Sequence, residues 1–226
     1  MFPVKLIDEL LQESANKDEA IKMESYMKNN FKFFGARAPV VKEIFKKLIT
    51  VYTIHPHELK ELVTHLWKKD EREYQMIAIL FLNRYQKWLK EEDIELIEYC
   101  ITNKSWWDSV DSIAPNALGY YLKAYPQHKP EIIEKWLSSN NLWLQRSILL
   151  YQLKYKKDTD VSILFDSILR LKDSKEFFIQ KAIGWALREY SKTDSQKVID
   201  FVDSTNLANL SKKESLKWMK SKKIIR

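Results

Sequence analysis

Every 35 residues a helix restarts in the same phase, and this period limits the fold of the chain more than any other feature. The segments EREYQMIAIL from Glu71, NLWLQRSILL from Asn141 and EFFIQKAIGW from Glu176 align. Gln145 and Gln180 stand 35 residues apart, and Gln75 lies 70 before Gln145. The remaining register is WWDSVDSIAP, residues 106–115. Asp70, Ser105 and Asn140 share the N-cap register ahead of these helices. A 35-residue unit holds two helices, and an amphipathic pair buries its apolar side only by stacking on its neighbours.

Periodicity along the rest of the chain agrees. Apolar residues recur at i, i+3, i+4 and i+7 with polar breaks between. Helices are expected near 3–15, 17–30, 39–54, 57–68, 71–86, 91–103, 105–124, 128–138, 141–155, 160–172, 175–191, 194–204 and 211–222. Thr193 with Gln196 and Ser211 with Glu214 carry the spacing of a capping box. The longest irregular piece is Phe31 to Ala38, before Pro39. Only 3 glycines and 6 prolines occur in 226 residues. A sandwich, a barrel or a Gly-rich nucleotide fold needs more positive-φ turns than that. The expectation is a single all-α domain over 1–226, a HEAT-like (armadillo-type) solenoid with a concave basic face.

The formal net charge is +7, and aromatics make up 13% of the chain, eight of them Trp. A basic, aromatic-rich chain suits a polyanion, because Lys and Arg neutralise phosphates while rings touch bases and sugars. One cysteine, Cys100, rules out an intramolecular disulfide and fits a reducing, cytoplasmic setting. The opening MFPVKLIDELLQES reads as an amphipathic helix with acidic residues inside it, unlike a signal peptide. No apolar run reaches the length of a membrane span.

The repeat places Met76, Asp111, Arg146 and Lys181 in equivalent positions on successive second helices. Two cations beside a carboxylate, in a column, mark a functional face; a structural Asp111–Arg146 ion pair is the plainer alternative. Asp108 has the spacing of a cap with Ser105 and favours the helix dipole. Asp111 lies one turn on, sharing a face with Trp107 at i−4. Trp107, Trp143 and Trp185 are each open to a core reading, and Trp143 is assigned to the core. Lys181 and Arg188 are either solvated charges or phosphate contacts, and Tyr26 is either packing or part of a site. The four histidines lack metal-site spacing, no phosphate loop exists, and Cys100 has no activating partner in its apolar helix.

The segments SWWDSVDSIAP (105–115), LQR (144–146), SKEFFIQKAIGWALREY (174–190) and MKNNFKFFGARAP (27–39) resemble the AlkD-type DNA alkylation-repair glycosylases. The resemblance runs from about residue 5 to about residue 220 and implies the same HEAT-like fold. Position by position it puts the catalytic carboxylate on Asp111 and a phosphate-holding arginine on Arg146. It puts an aromatic cleft on Trp107, Trp185 and Tyr26, and basic backbone contacts on Arg188 and Lys154. Lys181 joins these contacts by its register. Departures lie around the loop before the third helix, where Arg37, Ala38 and Lys42 differ from the family's residues; Arg37 and Lys42 are expected to tune DNA affinity.

The resemblance implies monofunctional hydrolysis of the N-glycosidic bond of cationic N3- or N7-alkylpurines in duplex DNA. It implies no cofactor, no metal, no membrane and no obligate partner, with a monomer sufficient. A carboxylate beside C1′ stabilises an oxocarbenium-like sugar and can orient water. Such enzymes leave the lesion in the stack, whereas most glycosylases flip it out. The alternatives are a non-catalytic HEAT-like protein for distorted or branched DNA, and a protein–protein scaffold with an apolar or acidic stripe.

Overall fold

The computed structural model describes residues 4–225, which are mostly helical, with one isolated β-bridge between Lys32 and Glu71. The fold class is the expected all-α one, consistent with a helical solenoid. The helices gather into two compact units, one ending at Leu96 and the other beginning at Ile97.

The first unit holds α1 (Val4–Glu13), α2 (Lys17–Tyr26), α3 (Ala38–Val51), α4 (Leu59–Lys68) and α5 (Arg72–Arg84). Its core is built on Leu48, Leu62, Val63, Leu66, Trp67 and Ile77, all fully buried. The boundary falls within α6 (Ile94–Thr102). The second unit continues with α7 (Trp107–Ile113), α8 (Gly119–Ala124), α9 (Lys129–Leu137), α10 (Leu142–Leu150) and α11 (Val161–Leu171). It ends with α12 (Phe177–Tyr190), α13 (Ser195–Ser204) and α14 (Asn209–Ser221). Val110, Ile113, Leu118, Trp136, Leu150 and Leu187 form its core.

The period survives at atomic detail, shifted by one residue. The N-caps are Glu71, Trp106, Asn141 and Glu176, not Asp70, Ser105 and Asn140. The recurrent glutamine also has a physical task. Gln75 Nε2 donates to the Lys69 carbonyl at 2.8 Å, Gln145 to Ser139 at 2.6 Å and Gln180 to Ser174 at 3.0 Å. Each reaches back six residues and ties the preceding loop to the helix. Buried carbonyls outside a helix need such donors.

Several boundaries differ from expectation. The start of the first helix at residue 3 lies outside the described residues. The helix expected over 17–30 stops at Tyr26, because Lys28 and Asn29 take left-handed backbone, φ 58° and 57°. That expected over 105–124 is interrupted by a π turn, Ala114–Leu118, since Pro115 has no N–H to give the Asp111 carbonyl. That expected over 141–155 ends at Leu150 and passes into turns.

The capping boxes also fall elsewhere. Ser105 Oγ donates back to Ile101 of α6 at 2.7 Å, so the Ser105–Asp108 box is not formed, although Asp108 does sit in the first turn of α7. Asp194 caps α13 through the Lys197 N–H in place of Thr193. Ser211 lies inside α14 and donates to the Gln180 carbonyl at 2.9 Å. In each case a tertiary partner or a neighbouring residue supplies what the local pattern offered.

Candidate active site

Asp111 and Arg146 project from α7 and α10 and meet through a forked pair. Arg146 Nε donates to Oδ1 and Nη2 to Oδ2 of Asp111, both at 2.8 Å. Nη1 donates to the Phe178 carbonyl at the start of α12. The Arg146 side chain is 5% exposed and that of Asp111 18%. Thus the arginine expected at a DNA backbone is buried, and three of its nitrogens are committed within the protein. Burial pushes the Asp111 carboxyl above its ordinary range, Arg146 draws it back, and the neighbouring Asp108 charge adds to the upward push.

The surroundings of the pair are aromatic. Trp106 packs on Trp143 and Phe178 with ring centroids 5.7 and 5.4 Å away, and Trp143 lies 5.1 Å from Phe178. Trp143 is therefore packing material, as assigned from the sequence. The Arg146 guanidinium stands 5.8 Å from the Phe178 ring.

On its other side Asp111 opens into a cleft of about 510 Å³ lined by Asp108, Ser112, Asn116, Lys154, Trp185 and Glu189 among others. Trp185 is half-buried in α12, one turn before Glu189. The π turn after α7 places Asn116 so that its Nδ2 donates to the Ser112 carbonyl at 2.6 Å. Its Oδ1 accepts from Lys154 Nζ. Asp111, Trp185 and Lys154 thus share one cleft, with Arg146 behind Asp111. Trp107 opens α7 and is half-buried.

Lys181 and Arg188 lie elsewhere on α12 and share one acceptor. Lys181 Nζ is 3.0 Å from Glu214 Oε1, and Arg188 Nη1 donates to Oε2 of the same carboxylate. These two ion pairs hold Glu214 below the ordinary carboxylate range, with the Lys181 hydrogen bond the larger cause.

In the first unit Tyr26 ends α2 and is 68% exposed. Arg37 is the N-cap of α3 and pairs with Glu19, while Lys42 is exposed on α3. The loop between α2 and α3 is fastened by Glu73, a fully buried carboxylate. Glu73 accepts the backbone N–H groups of Phe34, Gly35 and Ala36 at 3.1, 2.9 and 3.0 Å. Gly35 has φ 94°, and a Cβ there would stand 2.1 Å from the Asn16 carbonyl oxygen.

Glu73, Asn116 and Glu214 escaped the sequence reading. Glu73 had a signal, a charged residue at an otherwise buried phase of α5. Asn116 follows Pro115 inside a helical pattern, which marks a wide turn. Glu214 had only a capping signal, and that pointed the wrong way.

Among the described residues no group of three or more His, Cys, Asp or Glu side chains is placed to hold a metal, and no helix is long and apolar enough to cross a membrane. No curated protein matches the chain. A predicted DNA alkylation repair enzyme from Enterococcus faecalis is similar in structure, with TM-score 0.83 and 33% identity over 91% of this chain and 97% of that one. The sequence model of the DNA alkylation repair enzymes matches residues 7–219. Since that match spans nearly the whole sequence, the chain belongs to the DNA alkylation repair enzyme family.

Proposed function

We propose that this protein is a monofunctional DNA glycosylase that releases cationic N3- and N7-alkylpurines from duplex DNA. The observation that carries the reading is Asp111, held by the Arg146 fork at the wall of an open cleft that also contains Trp185.

Alkylation at N3 or N7 makes the purine a cationic leaving group. As its bond to C1′ breaks, positive charge moves onto the sugar. Asp111 faces that charge as a fixed carboxylate and orients the water whose oxygen bonds to C1′. The purine leaves neutral with the bonding electrons, and the proton shed by the water passes to the Asp111 carboxylate. Arg146 cannot lose its proton, so the pair is neutral only when Asp111 is ionised. In this reading Arg146 is a positioning residue. Trp185 offers its ring face to the cationic nucleoside, with Trp107 at the start of the same helix as Asp111. Lys154, steadied by Asn116, is the cation in the cleft wall for a flanking phosphate.

The cleft is open, which supports attack on a lesion left in the stack and acceptance of bulky adducts. Tyr26, Arg37, Lys42, Lys181 and Arg188 are proposed as further DNA contacts. The test is release of 7-methylguanine from methylated duplex in EDTA, leaving abasic sites without strand cleavage. A folded protein that binds the duplex and releases no base would instead be a binder of damaged or distorted DNA.

A further inference from the structure

We propose that Glu214 is a built-in competitor of DNA phosphate, which occupies Lys181 and Arg188 and so limits the affinity of this protein for undamaged duplex. The inference rests on the proposed binding of duplex DNA and not on the glycosylase chemistry.

Three residues on one face of α12 carry it. Lys181, Gly184 and Arg188 stand at i, i+3 and i+7, so they form a row along the helix. α14 lies on that row at closest approach. A Cβ on Gly184 would be 2.5 Å from Glu214 Cβ and 2.9 Å from the Ser211 carbonyl oxygen. Ser211 fastens the contact by donating to the Gln180 carbonyl at 2.9 Å. The absent side chain at Gly184 thus lets Glu214 settle between the two cations, one oxygen on each.

The arrangement differs from a surface ion pair in one respect that matters. The Glu214 side chain is 14% exposed, those of Lys181 and Arg188 37% and 25%. The carboxylate is fixed from within, while the cations remain reachable from outside. A carboxylate bridging two cations occupies them as a phosphodiester would. Cations already neutralised release few counterions on meeting DNA, and counterion release supplies most non-specific affinity. A repair protein has to leave undamaged duplex readily, and an internal anion weakens binding at phosphates without touching the cleft.

The test is Glu214→Gln, which keeps the size and hydrogen-bonding reach of the side chain and removes its charge. Binding to undamaged duplex is measured across a salt series. Several-fold tighter binding is expected at low salt, with the log–log salt slope steeper by about 0.9 for each cation released to a phosphate. Wild-type affinity and slope in the variant, or weaker binding, would overturn the proposal. Should Glu214→Gln not fold, Glu214→Ala decides, since it keeps the Cβ that packs on Gly184 and removes the carboxylate. The same tighter binding and steeper slope are expected, and wild-type affinity and slope would overturn the proposal. Absent duplex binding by the wild type would remove the premise and the proposal together. Absent base release with duplex binding intact would remove only the glycosylase reading.

Discussion

Asp111 and Arg146 are 35 residues apart, one structural repeat, and they meet through two parallel hydrogen bonds of 2.8 Å. The repeat that builds the fold therefore also sets this carboxylate in register with its partner. A lysine is a point charge that cannot reproduce the fork. We predict that Arg146→Lys lowers excision at least tenfold while the salt slope of DNA binding stays as in wild type. Arg146→Ala should lower stability by about 1–3 kcal/mol, because it leaves a half-buried carboxylate without its partner. A shallower salt slope in either variant would return Arg146 to the phosphate contacts.

The pH dependence follows from the same pair. Burial raises the Asp111 carboxyl above its ordinary value, against the pull of Arg146, and Asp108 raises it further. On the proposed mechanism excision needs the ionised form, so the rate is expected to rise with pH through an acid limb above the usual carboxylate range. Removing the like charge with Asp108→Asn should move that limb to lower pH. A limb that stays in place in this variant would mean that a group other than Asp111 governs it.

Trp185 is half-buried and lines the cleft. A cation–π contribution of about 0.5–2 kcal/mol predicts a loss of roughly 2- to 30-fold in excision of a cationic base for Trp185→Ala. The melting temperature should change little. A large drop in melting temperature would place the ring in the core instead.

Glu73 accepts three backbone N–H groups of the loop that leads to Arg37. Glu73→Ala leaves those donors without their acceptor, at a cost of about 3 kcal/mol or more. Hydrogen exchange at Phe34, Gly35 and Ala36 should accelerate more than in the α5 core. Unchanged exchange there would show that the loop is held by other contacts.

The helices and their period were readable because each is local or periodic, whereas Trp185 and Lys154 were assigned to the cleft only through the family resemblance and Asn116 not at all. Apolar spacing marks a helix, and 35-residue equivalence brings Asp111 beside Arg146. What was not readable depends on contacts between elements. Nothing near Ser211 in sequence reveals that its hydroxyl is used by Gln180, or that Glu214 closes on Lys181 and Arg188. The ion pair at Arg146 was foreseen as an alternative, but its burial was not, because burial depends on the Trp106, Trp143 and Phe178 rings that gather around it. Pro115 announced a break in the long helix, while the π geometry that aims Asn116 at Lys154 follows only from the packed structure.

Ionised Asp111 is proposed to drive base release and not to hold DNA. Single-turnover release of 7-methylguanine from methylated duplex, in EDTA, should be compared for wild type and Asp111→Asn, with duplex affinity measured in parallel. Release by wild type is expected, with a loss of at least a hundredfold in the variant and affinities within a few fold of each other. Equal release by both proteins, or a loss explained entirely by weaker binding, would contradict that proposal.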